Sequence, residues 1–342
     1  MKINWLLILQ AWAMLWVVIG HSRIFGYDMT AYTDGGGNPL WASYLGGFPY
    51  AFHMALFIFV SGYLFYKTRI ASERRVWSYA EVMKEKLIRL GIPFLAFTIL
   101  AIVVKSFFAE DMQRPVEISL GYFLDSIVYP YNGAMRELWF VATILWCFSL
   151  FPLWKWSFGE TKRICLVLVI LLVLNFWDPE IYFLSLGRFC RFALYFYLGM
   201  LSCKLSLCQN LVYYHKVLVL TIGTFLLLSG EYLKSINIML PVASLLAAVG
   251  GIVASVAIAF ILDKFTPKVF SVFRDYTYQI YLMGIFFQIA IKIVYKRMDC
   301  PYMLGFIACI LAGLYGPVLV SKILLKINWC PLLWCVGLTK KA

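Results

Sequence analysis

Charged side chains are scarce in this sequence. Asp, Glu, Lys and Arg together make up 14% of the 342 residues, whereas a soluble domain usually has about 25%. Hydrophobic residues reach 63%, and the mean hydropathy is +0.83. No soluble core of this size would hide so much apolar surface from water. The composition therefore excludes an ordinary soluble protein and predicts one that lipid solvates.

Closely spaced cysteine pairs are missing as well. The nine cysteines lie mostly inside apolar runs, and no two of them have C-x-x-C spacing. Such a pattern favours buried, apolar thiols over a metal or redox site. We therefore predict no metal and no permanently bound cofactor.

Acidic residues are also few, 17 against 30 Lys and Arg, which leaves a net charge of +13. In a soluble protein this excess would suggest a nucleic-acid partner. Here the cations cluster in one class of loop between apolar runs, which indicates membrane topology instead. The sequence predicts a lipid bilayer as partner and no nucleic acid.

Long apolar runs dominate the chain. A bilayer core requires about 20 apolar residues in helical form, and ten segments approach this length. We expect an all-α, polytopic membrane protein of about ten transmembrane helices in a single domain, residues 1–342. Only Lys2 precedes the first run and no A-x-A cleavage site follows it, so the first span is expected to be retained. The predicted spans are 5–22, 50–66, 87–107, 138–154, 164–177, 181–201, 216–233, 238–262, 276–295 and 302–325.

The distribution of cations sets the expected orientation. The loop between the second and third spans is rich in Lys and Arg, whereas the preceding loop, 22–50, holds only Arg23. By the positive-inside rule the rich loop is cytoplasmic, and so are the N- and C-termini. Lys292, Lys296 and Arg297 disagree, since they fall in a loop assigned to the outside. The cations that support the assignment are Lys67, Arg69, Arg74, Arg75, Lys84, Lys86, Arg89, Lys155, Lys162, Arg163, Lys264, Lys268, Lys340 and Lys341.

Polar side chains inside the hydrocarbon are costly, so the few present are the candidate functional residues. His21 ends the first span and His53 opens the second, so the two histidines share a depth near the outer face. Gln10 lies eleven residues before His21, which places both on nearly the same helical face. An interfacial histidine in contact with headgroups is the alternative for His21. The Ser61-Gly62 pair favours close helix packing.

Arg188 and Arg191 form a second candidate group. Their i, i+3 spacing places them on one helical face, about halfway along the sixth span. Arginines at that depth need partners or a water-filled cavity. A structural ion pair with Glu137 or Asp178 is the alternative.

Lys86 and Arg89 lead into the third span. They are either a phosphate clamp at the cytoplasmic mouth or ordinary snorkelling cations. Glu137 and Trp139 open the fourth span at its outer end, and Tyr281 lies near the start of the ninth. For aromatic side chains at span ends, membership of the interfacial belt is the alternative to a binding role.

In chain order these segments resemble the acyltransferase 3 family of integral membrane acyltransferases over nearly the full length. The individual motifs are short, and the resemblance depends on finding them in order in a ten-span chain. The matching pieces are VVIGH at 17–21, FHMALFIFVSGYL at 52–64, KLIRLGIPF at 86–94, LWF at 138–140, RFCRFALYFYLG at 188–199 and YQIYL at 278–282.

The resemblance implies O-acylation in a bacterial cytoplasmic (inner) membrane. An acyl group, commonly acetyl, would pass from acyl-CoA to a hydroxyl of a cell-surface polysaccharide or of its lipid-linked sugar precursor. An alcohol attacks a thioester slowly until its proton is removed, and imidazole titrates near neutral pH. His21 is therefore expected to act as the general base, with His53 assisting. Some family members carry an additional SGNH domain, and none is expected here.

The remaining candidates are assigned to the two substrates. Cations are expected to receive the CoA phosphates or to polarise the thioester carbonyl. The expected donor-binding residues are Lys86, Arg89, Arg188 and Arg191. The expected acceptor-binding residues are Glu137, Trp139 and Tyr281.

Two positions depart from the family pattern. The family typically has Arg, less often Lys, eleven positions before the first histidine, where this chain has Gln10. Glutamine donates hydrogen bonds but supplies no charge, so either another cation takes over any role in donor binding or that role is lost. The family also often has a histidine shortly after the late Tyr-Leu pair, about where Gly284 stands.

The same residues are compatible with two other functions. A transporter or flippase for a glycolipid or a small solute would also have many spans and arginines at depth, although the sequence has no evident internal repeat. A membrane polysaccharide polymerase would be expected to have a larger external loop than 108–137. The family resemblance favours the acyltransferase.

Overall fold

The computed structural model has helices as the regular elements of the residues that it describes, which are 4–25, 37–72, 75–108, 116–263, 272, 274–298 and 300–338. The predictions for Lys2, Arg74, Lys264, Lys268, Lys340 and Lys341 lie outside these residues. We number the α-helices in chain order. They are α1 (Asn4–Gly20), α2 (Leu40–Gly47), α3 (His53–Phe65), α4 (Tyr79–Lys86), α5 (Ile92–Ser106), α6 (Leu120–Val128), α7 (Trp139–Ser149), α8 (Phe151–Ser157), α9 (Thr161–Trp177), α10 (Leu186–Lys204), α11 (Lys216–Ser235), α12 (Leu240–Asp263), α13 (Thr277–Lys296), α14 (Tyr302–Ile327) and α15 (Cys330–Cys335).

Every predicted span overlaps at least one helix, but the bounds and lengths of the helices differ from those predicted. Within the described part of the chain, six helical stretches are long and apolar enough to cross a bilayer. A seventh is added if Arg136–Ser149 and Phe151–Ser157, which meet at an angle of 52°, form one span. α1 is apolar but shorter. The predictions of an all-α fold and of a multi-pass membrane protein are confirmed, with six or seven candidate spans in the described residues. The number of about ten spans and the cytoplasmic termini stay predictions.

The segment that leads into α5 shows how local sequence builds these helices. α4 begins with a capping box, in which the Glu81 N–H donates to Ser78 Oγ at 3.3 Å and the Ser78 N–H donates to Glu81 Oε2 at 2.9 Å. A π-helical turn, Leu87–Gly91, follows. Pro93, which has no N–H to donate, then lies in the first turn of α5, directly after this π-helical turn.

Helices α3 and α10 cross in backbone contact. A Cβ atom added at Gly62 would collide with the Phe196 carbonyl oxygen, and one added at Gly199 would collide with the Phe59 carbonyl oxygen. Small residues at a crossing allow the two backbones to approach this closely. The packing role expected for Gly62 is confirmed, and Gly199 is its counterpart on the facing helix.

We expect Gly62→Ala or Gly199→Ala to destabilise the protein, because each added methyl forces α3 and α10 apart. Overpacking of this kind costs about 1–3 kcal/mol, which exceeds the gain of about 1 kcal/mol from replacing a helical glycine by alanine. Thermal unfolding of the purified, detergent-solubilised protein measures the effect as a lower Tm. Gly47→Ala is the matched control, since nothing lies within 4 Å of its added Cβ. Equal Tm values for all three variants would contradict the packing argument.

Candidate functional site

Two adjoining cavities lie between the helices. The larger, which we call the histidine cavity, has a volume of about 390 Å³ and is lined by His21 and His53. The smaller, which we call the cationic pocket, has a volume of about 210 Å³ and is lined by Lys86 and Arg89. A shared layer of side chains separates the two. Three residues line both cavities: Val17, Met54 and Tyr281.

The predicted site residues gather around these two cavities. The four cations expected to bind acyl-CoA are divided between them, two to each, so the structure does not bring them into one donor site. The predicted site residues that line the histidine cavity are His21, His53, Glu137, Trp139, Arg188, Arg191 and Tyr281. The predicted site residues that line the cationic pocket are Lys86, Arg89 and, again, Tyr281.

Helix α1 runs along both cavities. Gln10 lines the cationic pocket, Val17 lines both cavities, and His21 lines the histidine cavity. The predicted placement of Gln10 and His21 on one face of the first helix is confirmed. We call the histidine cavity and the cationic pocket together the combined cavity. Gln10 and His21 lie at its opposite ends.

His21 and His53 meet across one aromatic ring. The centroid of the Tyr50 ring lies 6.0 Å from that of His21 and 4.9 Å from that of His53, with both imidazoles steeply inclined to it. His21 follows the last residue of α1, and its N–H donates to the Val17 carbonyl at 3.2 Å. The two histidines therefore face the same tyrosine ring, and their common depth near the outer face stays a prediction.

The tautomer of neutral His53 follows from its hydrogen bond. His53 is 1% exposed, and its Nδ1 lies 2.5 Å from the Pro49 carbonyl oxygen. A carbonyl oxygen only accepts, so Nδ1 carries the proton and Nε2 is left as an acceptor. The 3₁₀ turn Phe48–Ala51, directly before α3, brings this carbonyl into place. His53 is thereby arranged to accept a proton at Nε2.

The depth predicted for Arg188 and Arg191 is wrong. α10 begins at Leu186, because the preceding residues include Leu184 and Ser185 in the left-handed region, so both arginines lie in its first two turns. Arg191 Nη1 donates to Asp178 Oδ2 at 2.8 Å. The alternative of a structural ion pair with Asp178 is thus correct for Arg191.

Arg188 is held differently. Its guanidinium carbon lies 4.7 Å from the centroid of the Tyr131 ring and 5.6 Å from that of Trp139. Among the described residues it makes no ion pair. A guanidinium over aromatic rings keeps its charge and its N–H edges for a ligand. Arg188 therefore presents a positive charge to the histidine cavity.

Glu137 and Tyr281 lie closer together than their spans suggested. We expected Glu137 at the outer end of its span and Tyr281 near the opposite, inner end of another. The Tyr281 hydroxyl instead donates to the Glu137 carbonyl oxygen. The interfacial-belt alternative for Tyr281 is therefore wrong, because its hydroxyl bonds within the bundle. The outer-end position of Glu137 stays a prediction.

The cationic pocket is more than a pair of snorkelling lysine and arginine side chains. Lys86 Nζ lies 4.5 Å from the centroid of the Phe148 ring. Thr68 and Arg89 come from the π-helical turns Tyr66–Ile70 and Leu87–Gly91, and both line the pocket. Such turns often occur at functional sites.

Several lining residues escaped sequence reasoning. Tyr50 and Tyr131 have ring contacts that depend on tertiary structure. Arg136, whose guanidinium carbon lies 4.1 Å from the Tyr131 centroid, begins the short 3₁₀ helix Arg136–Leu138. Gln288 lines the histidine cavity from α13. The sequence did contain a signal for Gln288, because a glutamine inside an apolar helix is unusual.

One family model matches the chain. It is described as an acyltransferase domain and covers residues 3–322 of 342. No curated protein matches the chain. No solved structure matches it either.

Proposed function

Because the chain belongs to the acyltransferase 3 family, we propose that this membrane acyltransferase moves an acetyl group from acetyl-CoA to a carbohydrate hydroxyl. The acceptor is a cell-surface polysaccharide or its lipid-linked sugar precursor, and the membrane is the cytoplasmic membrane of a bacterium. The family supports acyl transfer as such. The donor, the acceptor and the membrane are what the resemblance to the family implies, and the roles of the residues are inferred from the two cavities.

The observation that carries this proposal is the meeting of the two cavities at Val17, Met54 and Tyr281. The positive-inside rule assigns the loop with Lys86 and Arg89 to the cytoplasm, where CoA is present. The histidines lie at the other end of the combined cavity. The donor thus occupies the cationic pocket with its thioester directed towards the histidines.

Lys86 and Arg89 bind the phosphates of CoA in this proposal. Charge-assisted hydrogen bonds from ammonium and guanidinium groups are the strongest that proteins form with phosphate. Gln10 lines the same pocket. Gln10 adds no charge at this position, so Lys86 and Arg89, which lie in the segment that matches the family pattern, supply the positive charge of the pocket.

His21 acts as the general base. It takes the proton of the acceptor hydroxyl while the oxygen attacks the thioester carbonyl. The tetrahedral intermediate then expels CoA by breaking the C–S bond, and the proton returns to the thiolate sulfur. His53, with Nδ1 donating to Pro49, assists by accepting a hydrogen bond at Nε2.

Arg188 and Arg191 serve the reaction at the histidine cavity and not the CoA phosphates. The charge of Arg188, held over aromatic rings, stabilises the oxyanion that develops on the thioester oxygen. Arg191 forms an ion pair with Asp178 and supports the wall of the histidine cavity next to Arg188. Glu137, Trp139 and Tyr281 contact the acceptor sugar, Trp139 through stacking of its ring.

Mass spectrometry of the surface glycan with and without this gene tests the proposal. We expect the glycan from the producing strain to carry one additional acyl group on a sugar unit, with the mass difference identifying the acyl chain. Identical glycan masses in the two strains would refute O-acylation of the surface glycan.

A transporter or flippase remains the rival function, because a cavity at each end of a bundle also suits transport. Vesicles loaded with labelled acetyl-CoA distinguish the two. Acyl transfer without net movement of solute supports the enzyme. Solute movement without ester formation supports the transporter.

A further inference from the structure

Helix α13 presents a row of residues to the end of α1. Gly284, Gln288 and Lys292 recur at every fourth position and therefore lie on one face. Gly284 and Gln288 line the histidine cavity. Lys292, one turn further, is 0% exposed. The proposed reaction uses none of the three.

Gln288 and Lys292 hold the last turn of α1. The Lys292 ammonium donates to the His21 carbonyl oxygen at 2.9 Å. The Gln288 amide donates to the Val18 carbonyl at 2.9 Å and to Ser22 Oγ at 3.0 Å. The last carbonyls of a helix lack partners within the helix, so α13 supplies partners where α1 ends.

The buried charge of Lys292 suits this position. The carbonyl end of a helix carries partial negative charge, which a cation stabilises. A buried ammonium is retained where it is hydrogen-bonded, since its desolvation is otherwise unfavourable. The location of Lys292 also explains why this residue disagrees with the positive-inside rule, because Lys292 lies inside the bundle and not in an external loop.

We propose that Lys292 and Gln288 are positioning residues that fix the backbone at His21, and thereby the direction of its imidazole. This inference rests on the proposed role of His21 as general base. His21 lies one residue beyond α1, where helix ends fray. A general base must lie within hydrogen-bond reach of the proton that it removes, and small displacements of a reacting group have large kinetic effects.

Lys292→Met and Lys292→Arg test the proposal against Lys326→Met, which removes an exposed lysine at the end of α14. The assay is incorporation of label from acetyl-CoA into glycan by membranes of the producing strain. We expect Lys292→Met to lower kcat at least tenfold with the KM for acetyl-CoA unchanged within twofold. Lys292→Arg, which keeps the charge and donors, should restore most of the rate, and Lys326→Met should match wild type.

Hydrogen–deuterium exchange gives a second readout that does not depend on the reaction. Faster exchange of residues 17–25 in Lys292→Met, with the Tm unchanged, supports positioning. If Lys292→Met does not fold, Gln288→Met is measured in the same way. Unchanged exchange and a kcat within twofold of wild type overturn the proposal. Altered exchange together with no acyl transfer by the wild-type protein would instead reject the proposed function. It would still support the hydrogen bonds by which Lys292 and Gln288 hold the end of α1.

Discussion

Replacement of His21 by glutamine is expected to lower the rate of acyl transfer by a factor of about 100 to 10,000, the contribution usual for a general base. Glutamine keeps hydrogen-bonding capacity but cannot take a proton from the acceptor hydroxyl. The loss should appear in kcat, with the KM for acetyl-CoA nearly unchanged, because His21 lines the cavity opposite to the cationic pocket. Label incorporation from acetyl-CoA into glycan measures both constants.

The chain provides a matched control for this substitution. His215, the third histidine of the sequence, is exposed just before α11 and lines neither cavity. His215→Gln should therefore act as wild type. A His21→Gln protein present at normal level that acylates glycan within threefold of wild type would remove His21 from the catalytic role and leave His53 as the candidate base.

The combined substitution Lys86→Gln and Arg89→Gln is expected to affect the donor alone. Each charge-assisted hydrogen bond contributes about 1.5–3 kcal/mol, so loss of two should raise the KM for acetyl-CoA by at least about a hundredfold. The kcat at saturating donor should stay within a few-fold, since ground-state and transition-state binding are weakened equally. The measurement is the donor dependence of glycan labelling.

Lys84→Gln is the control for this pair. Lys84 is exposed, lies two residues from Lys86 on α4 and lines neither cavity. Residues two apart point to different sides of a helix. A normal KM in the double variant would show that CoA binds elsewhere. An equal rise in KM for Lys84→Gln would indicate general attraction of CoA to a cationic surface and not a specific pocket.

The fold could be predicted well from composition because lipid exposure selects long apolar helices. The positions of catalytic candidates at helix ends were predictable for α1, where an uninterrupted apolar run ends at His21. The start of α10 was not predictable, because the apolar residues 181–184 continue the apolar run of α10, yet Leu184 and Ser185 have left-handed conformations. Apolarity predicts span length but not where such a segment stops being helical.

Pairings across the bundle were also beyond the sequence. The hydrogen bond from Tyr281 to the Glu137 carbonyl joins residues 144 positions apart, and nothing local indicates it. Lys292 was counted with external loop cations because hydropathy does not reveal which face of a helix is buried. The division of the four cations between two cavities likewise depends on how the helices pack, which no local pattern indicates.

The most direct test of the central claim, that the acyl group passes from one end of the combined cavity to the other, uses sealed inside-out vesicles from the producing strain. Labelled acetyl-CoA is supplied outside, on the cytoplasmic face. We expect ester label on glycan that an added esterase cannot reach until detergent opens the vesicles, and with His21→Gln a rate of labelling lower by the factor of about 100 to 10,000 given above. Ester label that the esterase removes completely from intact vesicles would contradict it.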